Sequence, residues 1–395
     1  MYKKTEAYIV AGRRTPFGSF NGCISTIPAP QLGGMTVKAV IKDTGLDPAS
    51  IQDLYFGNVL SANLGQAPAS QVAYYGGLSE TVPCTLVNKV CASGMKSIQI
   101  AAKTIFIGDN DLVIAGGMEN MSLTPHYVLN YRTGYKYGHT QLLDGIARDG
   151  LSDAFSDASM GLCGEMCAEK YQISREAQDE YAVRSYQLTL EGIKSGWFER
   201  MICPVTISGK KGDSIVISED EEPKNVKFDK IPQLKPAFKK DGFITAANSS
   251  KINDGAASTI IASEEAVKRH NLKPLARIIG FADAALHPDW FTIANTEAIK
   301  KLLAQVNMTI DQIDLFEINE AFAVVVLANA QILGIPMEKI NINGGAIAQG
   351  HPIGASGTRI VIDLAHTLIA KNLRYGMASI CNGGGGASAI LIERV

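Results

Sequence analysis

An excess of charge of either sign is missing from this sequence: 37 Lys and Arg stand against 39 Asp and Glu, a formal net charge of −2. A chain without a basic field has nothing with which to clamp a phosphate backbone, so a nucleic-acid partner is not expected. A long apolar run is missing too. The longest, Phe322 to Ile335, is broken by Asn329 and Gln331 and is too short to span a bilayer, so no membrane association is expected. Paired-cysteine spacing is also absent. Cys23, Cys84, Cys91, Cys163, Cys167, Cys203 and Cys381 are odd in number and show no C-x-x-C, which argues against a disulfide scaffold or zinc ribbon and for a reducing compartment. The start, MYKKTEAYIV, has neither an apolar h-region nor an Arg- and Ser-rich leader, as expected of a cytoplasmic chain or the mature form of an organellar one.

What is present is the composition of a folded protein, with 46% hydrophobic and 19% charged residues over 395 positions and 38 glycines. That length predicts two or three domains. Weak internal repetition narrows this further. Asp53 to Asn58 resembles Asp314 to Asn319, Cys91 to Lys96 matches Gly354 to Arg359, and the segment ending at Ala115 matches the one ending at Cys381, at offsets of 261, 263 and 266 residues. Three matches in one order point to two related halves. Each half alternates strand and helix, the pattern of an α/β fold with a parallel or mixed sheet. Strands are expected at Ala7–Ala11, Leu54–Phe56, Asp111–Ala115, Asp314–Ile318, Ile340–Asn343, Met377–Cys381 and Ser388–Ile392. A helix begins at or just after Cys91, on the stripe Met95, Ile98, Ala102 and Ile105, and ends at Gly108. Its counterpart, marked by Ile360, Leu364 and Leu368, begins beside Ala355-Ser356-Gly357. Between the halves, from Ser122 to about Gly242, prolines, RTGYKYG, a Met-rich stretch and the run Glu219 to Glu222 read as an inserted subdomain with long loops, the charge run as a solvated face.

Four places could carry chemistry. Cys91 lies at a helix start, where free N–H groups and the positive end of the dipole stabilise a thiolate and so suit a nucleophile. The commoner role of a cysteine is a small buried hydrophobe. His351 lies in Gly344 to Gly354, where four glycines and a proline fix an unusual backbone path that can aim an imidazole at a thiol, although a lone His before Pro in a turn is often structural. Cys381 precedes Asn382 and four glycines at a strand end. Backbone N–H groups could there approach an oxygen closely, or the glycines could simply form a tight turn. Asn319 reads as the N-cap of the helix Ala321 to Leu333, and equally as a side-chain amide placed to hold an oxyanion or a water.

Taken together, Val90-Cys91-Ala92-Ser93-Gly94, Asn319-Glu320-Ala321-Phe322, the glycine-rich block around His351 and Cys381-Asn382-Gly383-Gly384-Gly385 resemble the thiolase family, in order and spacing, from about Ala7 to Val395. Thr245-Ala246-Ala247-Asn248 and Phe281 to Ala285 resemble its mitochondrial acetoacetyl-CoA type most. The resemblance implies the thiolase fold: two duplicated mixed-sheet halves stacked as α-β-α-β-α layers. Residues 1–121 with 245–273 would form one half, 274–395 the other and 122–244 the inserted loops. It implies acetyl-CoA C-acetyltransferase activity, the reversible condensation of two acetyl-CoA to acetoacetyl-CoA and CoA, with coenzyme A as substrate and product and no obligatory cofactor. Cys91 would carry the acyl group, His351 would activate it, and Cys381 would move the α-proton. His351 with an Asn319-held water would form one oxyanion hole, and the N–H groups of Cys91 and Gly383 the other. Leu151, Met160, Ala246 and Ser250 would line the pantetheine arm, Phe322 would sit beside the acyl group, and Lys224 and Lys227 are available to the nucleotide end. Phe291 stands where the mitochondrial type carries a Phe associated with α-methyl substrates, although Thr292 follows it here instead of Pro.

That type also binds potassium, which implies an ion near Tyr186 and the carbonyls of Ala246, Ala247, Ser249 and Ile347. Lys251 departs from the Gly of simple bacterial members, and Ser159 from the His that usually precedes the pocket Met. The RTGYKYG segment resembles the loop through which tetrameric thiolases pair their dimers, so a homotetramer is expected. A broader 3-ketoacyl-CoA thiolase is the nearest alternative. A decarboxylating ketoacyl synthase is expected to carry a second histidine where Asn319 stands, and a non-catalytic acyl-CoA or lipid carrier of the same fold is expected to lack Cys91, His351 or Cys381.

Overall fold

A computed structural model describes residues 5–208 and 213–395. The first half enters on β1 (Ala7–Arg14) and β2 (Gly18–Ser19), then α1 (Ala29–Thr44), β3 (Asp53–Gly57), α2 (Pro68–Gly76), β4 (Cys84–Val87), α3 (Ser93–Ile107) and β5 (Leu112–Asn120). Next come two ribbons, β6 (His126–Tyr127) with β7 (Leu143–Asp144) and β8 (Val205–Ser208) with β9 (Ser214–Ile217), and between them α4 (Met160–Tyr171) and α5 (Arg175–Lys194). Strand β10 (Asn253–Ser263) returns to the main sheet, followed by α6 (Glu264–Arg269) and β11 (Ala276–Ala285). Then follow α7 (Ala294–Val306), β12 (Leu315–Ile318), α8 (Ala323–Leu333), α9 (Ala346–Gln349), α10 (Ile353–Lys371), β13 (Tyr375–Asn382) and β14 (Gly386–Arg394).

The hydrogen-bonded order is β12-β13-β14-β11-β1-β10-β5-β3-β4, with β2 on β10. On either side of the β1–β11 junction the pattern repeats. Strand β3 runs parallel to β5, which pairs antiparallel with β10; β12 runs parallel to β13, which pairs antiparallel with β14. Only Ala7 to Ile9 against Ala276 to Ile278 stitch the halves into one continuous ladder. The register also corrects the repeat. Leu54 lies opposite Ile114, and its equivalent Leu315 lies opposite Gly376, so the third offset is 262, not 266, and Glu119 occupies the position of Cys381.

Three apolar cores follow the layers. One joins α1 and α2 to the first half, a second wraps α3 and α10 between both halves, and a third joins α7 and α8 to the second half, giving the α-β-α-β-α order. In the middle core Ile98, Ile105, Ile360 and Leu368 have no exposed surface, each worth roughly 1.5–3 kcal/mol of burial. The first turns of α3 and α10 meet on glycines. A Cβ on Gly94 would press on the backbone of Thr358, and one on Gly357 on that of Met95. This reciprocal contact is what the repeated Ser-Gly dipeptide is for.

The stripe on α3 is buried as expected, and Gly108 ends the helix in the left-handed region at φ 79°. Ile340–Asn343 differs from expectation. It makes only isolated bridges, Phe316 to Ile340 and Ile342 to Gly344, because Asn341 and Gly344 take φ of 47° and 79° and turn the chain out of the sheet. The helix after Asn319 is capped by Phe322 rather than Asn319, which frees the Asn319 side chain.

Candidate active site

Cys91 comes at the turn from β4 into α3, and the residue before it is strained. Val90 is β-branched yet has φ 48°, a conformation that persists only where its surroundings impose it. Here the Val90 N–H donates to Asn88 Oδ1 at 3.0 Å, and Ser93 Oγ donates to the Val90 carbonyl at 2.6 Å. The turn aims the Cys91 side chain at a small apolar cluster with Leu151 and Ile353. The sulfur keeps part of its surface open, yet it sits deep in the protein. Burial therefore pushes its thiol up to about 12, against the opposing pull of the Gly383 N–H. The helix start does not make a resting thiolate, contrary to expectation, and the proton stays on sulfur until a base takes it.

His351 is the base expected from the sequence, and its neighbours fix its position. Gly350, at φ 108°, has no room for a Cβ against Asn253, and Asn253 Oδ1 accepts the His351 N–H at 2.8 Å. Ser356 Oγ donates to the Pro352 carbonyl at 3.0 Å and therefore accepts from His351 Nδ1 at 2.6 Å. This bond fixes the proton on Nδ1 and makes Nε2 an acceptor. Burial, with Arg359 adding to it, pulls the imidazole down to about 3, so it is neutral at neutral pH. Nε2 stands 3.5 Å from Asn319 Nδ2, and Asn319 Oδ1 is buried without a partner, as a water ligand would be.

Cys381 ends β13, almost wholly buried. Burial, and second the nearby Cys91, push its thiol above the usual range. Beyond it Gly384 and Gly385 turn at φ 81° and 83°, and the Gly383 N–H lies against the Cys91 sulfur. The two thiols and this N–H meet from both halves of the fold, and Leu151 and Ile353, which pack with Cys91, line the same cavity as His351.

A cavity of about 500 Å³ leads out from them, lined by Leu151, Met160, Ala246, Ser250 and Phe322, with His351 at its inner end. Phe291 differs from the other expected pocket residues: it is absent from this lining and packs behind, in a closed cluster with Cys381 and Phe322. Lys224 is exposed and paired with Glu219 at 2.7 Å, away from the lining, and Lys227 is also outside it. Around the expected cation position, Tyr186 is buried, the Ile347 N–H donates to Glu320 Oε2 at 3.0 Å, and Ala246 and Ser249 face the cavity. Ala247 is buried beside them. Lys251 Nζ donates to the Ser249 carbonyl at 2.8 Å.

Sequence reasoning missed Glu119 and the role of Ser356. Glu119 accepts the N–H groups of Val59, Leu60 and Gly354 at 2.9–3.0 Å and Asn58 Nδ2 at 2.6 Å. By the repeat, Asn58, Glu119 and Gly354 are the counterparts of Asn319, Cys381 and Cys91, so the duplicated site survives as a brace beneath the active one. Burial pushes the Glu119 carboxyl up to about 8 against those three N–H groups. The signal for Ser356 was its match with Ser93. Ser356→Ala is expected to lower kcat roughly ten-fold with KM nearly unchanged, through loss of one orienting hydrogen bond. Ser356→Thr should restore most of the rate, and an equal rise in KM for both variants would point to general loosening instead.

Fold and site together define an enzyme family. The model of the thiolase N-terminal domain matches residues 7–265 and that of the C-terminal domain residues 272–394; the chain belongs to the thiolase family. It is 52% identical over 387 residues to a probable acetyl-CoA acetyltransferase of Dictyostelium discoideum, covering 98% of this chain and 94% of that one. A mitochondrial acetyl-CoA acetyltransferase of Bos taurus is 47% identical (99% and 92% covered) and a cytosolic one of Gibberella zeae 46% (98% and 98%). The likeness therefore does not favour the mitochondrial type over the cytosolic one. Among solved structures, the Bacillus anthracis acetyl-CoA acetyltransferase superposes with a TM-score of 0.97 at 36% identity, over the whole of both chains. The Acat5 thiolase of Ascaris suum, in complex with coenzyme A, superposes at 0.93 with 42% identity, over 99% and 100%. Among the described residues no helix is long and apolar enough to cross a membrane.

Proposed function

We propose that the protein is an acetyl-CoA C-acetyltransferase, joining two acetyl-CoA into acetoacetyl-CoA and CoA and running the reverse cleavage. The observation that carries this is the meeting of two thiols, Cys91 and Cys381, from opposite halves beside the Gly383 N–H, next to a cavity lined by a neutral, tautomer-fixed His351. His351 Nε2 takes the Cys91 proton as the sulfur attacks the thioester carbonyl. The oxygen of the tetrahedral intermediate rests on the N–H groups of Cys91 and Gly383. CoA leaves with the proton of Cys381, and acetyl-Cys91 remains. The Cys381 thiolate then removes an α-proton from a second acetyl-CoA, and the enolate oxygen is held by His351 and a water on Asn319 Oδ1. The enolate carbon attacks acetyl-Cys91, Cys91 departs, and it regains its proton from His351. Every proton taken is returned within the cycle.

The cavity is sized for a pantetheine arm, with apolar walls and the Ser250 hydroxyl. Its inner end is closed by Phe291 and Phe322 around Cys381, which supports a short acyl group over the long chains of a broader 3-ketoacyl-CoA thiolase. Residues 122–244 serve as an inserted subdomain between the halves 1–121 with 245–273 and 274–395. Within it Tyr131 and Tyr137 stand bare, the latter fully exposed. They support a dimer of dimers paired through this loop, since isolated apolar rings in one loop mark a contact surface. The test is CoA-dependent loss of the enolate absorbance of acetoacetyl-CoA, beside 2-methylacetoacetyl-CoA and a long-chain 3-ketoacyl-CoA. Rapid cleavage of the two short substrates is expected; preference for the long chain would assign the broader activity, and no turnover of any would mean a binding protein.

A further inference from the structure

Lys251 is one of the places where this chain leaves its family's pattern, and its ammonium group stands among residues around which the resemblance puts an ion. Its Nζ donates to the Ser249 carbonyl at 2.8 Å and lies 5.7 Å from the centre of the Tyr186 ring. Ser249 and Tyr186 are two of the five residues expected around potassium. Burial pulls the Lys251 ammonium down to about 8 against the opposing charge of the Glu222 and Glu320 carboxylates, so it is mostly charged at neutral pH. A potassium ion held by the same carbonyl would sit beside a like charge at contact distance. The donor set present therefore does not fit the ion while Lys251 is in place.

We propose that the Lys251 ammonium is a built-in replacement for the monovalent cation, holding the loop that lines the cavity and making the protein indifferent to potassium. The loop it holds runs from Thr245 to Ser250. Ser249 Oγ donates to the Thr245 carbonyl at 2.7 Å, and the Ser250 N–H donates to the Ala321 carbonyl at 2.9 Å. Ala246 and Ser250 of this loop face the cavity, and Lys251 lines it too. A cation joining the Ser249 carbonyl to the face of Tyr186 thus ties the cavity wall to α5. An ammonium carries the same charge as potassium and offers three donors to carbonyl oxygens and an aromatic face. Being tethered, it is present at a fixed, high effective concentration whatever the salt. Lys251 is a positioning residue in this account, acting through the Ser249 carbonyl.

The test compares potassium, sodium and tetramethylammonium chloride at equal ionic strength, with two readouts. One is the thermal midpoint, which is independent of the catalytic reading; the other is KM for acetoacetyl-CoA in thiolysis. The wild-type protein should give the same values in all three salts. In Lys251→Ala the midpoint should fall and KM rise roughly 5-fold or more, and potassium alone should restore both. Lys251→Met, which keeps the length of the stem, serves if the alanine variant does not fold. A potassium-specific gain in the wild-type protein would overturn the proposal by showing an ion bound beside Lys251. So would variants that keep wild-type values in every salt, or that lose them without potassium rescue, since the ammonium would then not be filling a cation site.

Discussion

Replacing Cys91 with alanine is expected to lower turnover by on the order of 10⁴-fold or more, because it removes the atom that becomes acylated, and no neighbouring group can take its part. The nearby thiol, Cys381, is almost wholly buried, and its part is to move the α-proton rather than to attack the carbonyl that rests on the Cys91 and Gly383 N–H groups. Stability should scarcely change. The side chain removed is small and only partly buried, and the strained Val90 is held by Asn88 and Ser93 rather than by the thiol. Thermal unfolding beside a steady-state thiolysis assay checks both statements. A variant that is inactive because it is unfolded would leave the assignment without support.

Cys381→Ala is expected to separate the two halves of the reaction. Acylation of Cys91 should persist, since His351 and the Gly383 N–H are untouched, although release of CoA slows for want of the Cys381 proton. Carbon–carbon bond formation and cleavage should fall roughly 10²- to 10⁴-fold, the usual contribution of a positioned acid or base. The clearest readout is exchange of labelled CoA into acetyl-CoA, which needs only the first half, measured against condensation, which needs both. Condensation at the wild-type rate would remove Cys381 from the proton transfer.

Much of this site was legible in the sequence because its chemistry sits on backbone features that leave marks. Cys91 is announced by a helix start, His351 by Gly350 and its neighbours, and Cys381 by the glycines that turn the chain after it. What was harder to read depends on partners far away along the chain. Asn319 looks like a helix cap in one dimension. The true cap is three residues later, and the freed amide finds His351, 32 residues on. Glu119 sits in a run of small and apolar residues with no local pattern, and only the register of β5 against β3 shows it to be the counterpart of Cys381.

Strand β10 escaped for another reason. All eleven residues of β10 are buried, so the alternation that betrays a half-exposed strand is absent, and its Ala, Ser and Gly content reflects helices packed closely on both sides. Phe291, linked by resemblance to α-methyl substrates, lies outside the cavity lining and packs in the cluster with Cys381 and Phe322. The duplication itself was visible, but its third offset was set four residues wide, because the match was made on strand ends rather than on the residues that pair across the sheet.

The central claim is that Cys91 carries the acyl group between the two half-reactions. Mixing the wild-type protein with acetyl-CoA alone, quenching in acid and mapping the peptides by mass spectrometry tests it directly. The account predicts one acetyl group per chain, on the peptide that contains Cys91, discharged when CoA is added. Acetyl on Cys381 or another residue, or acetoacetyl-CoA formed with no acetylated peptide at any time, would contradict it.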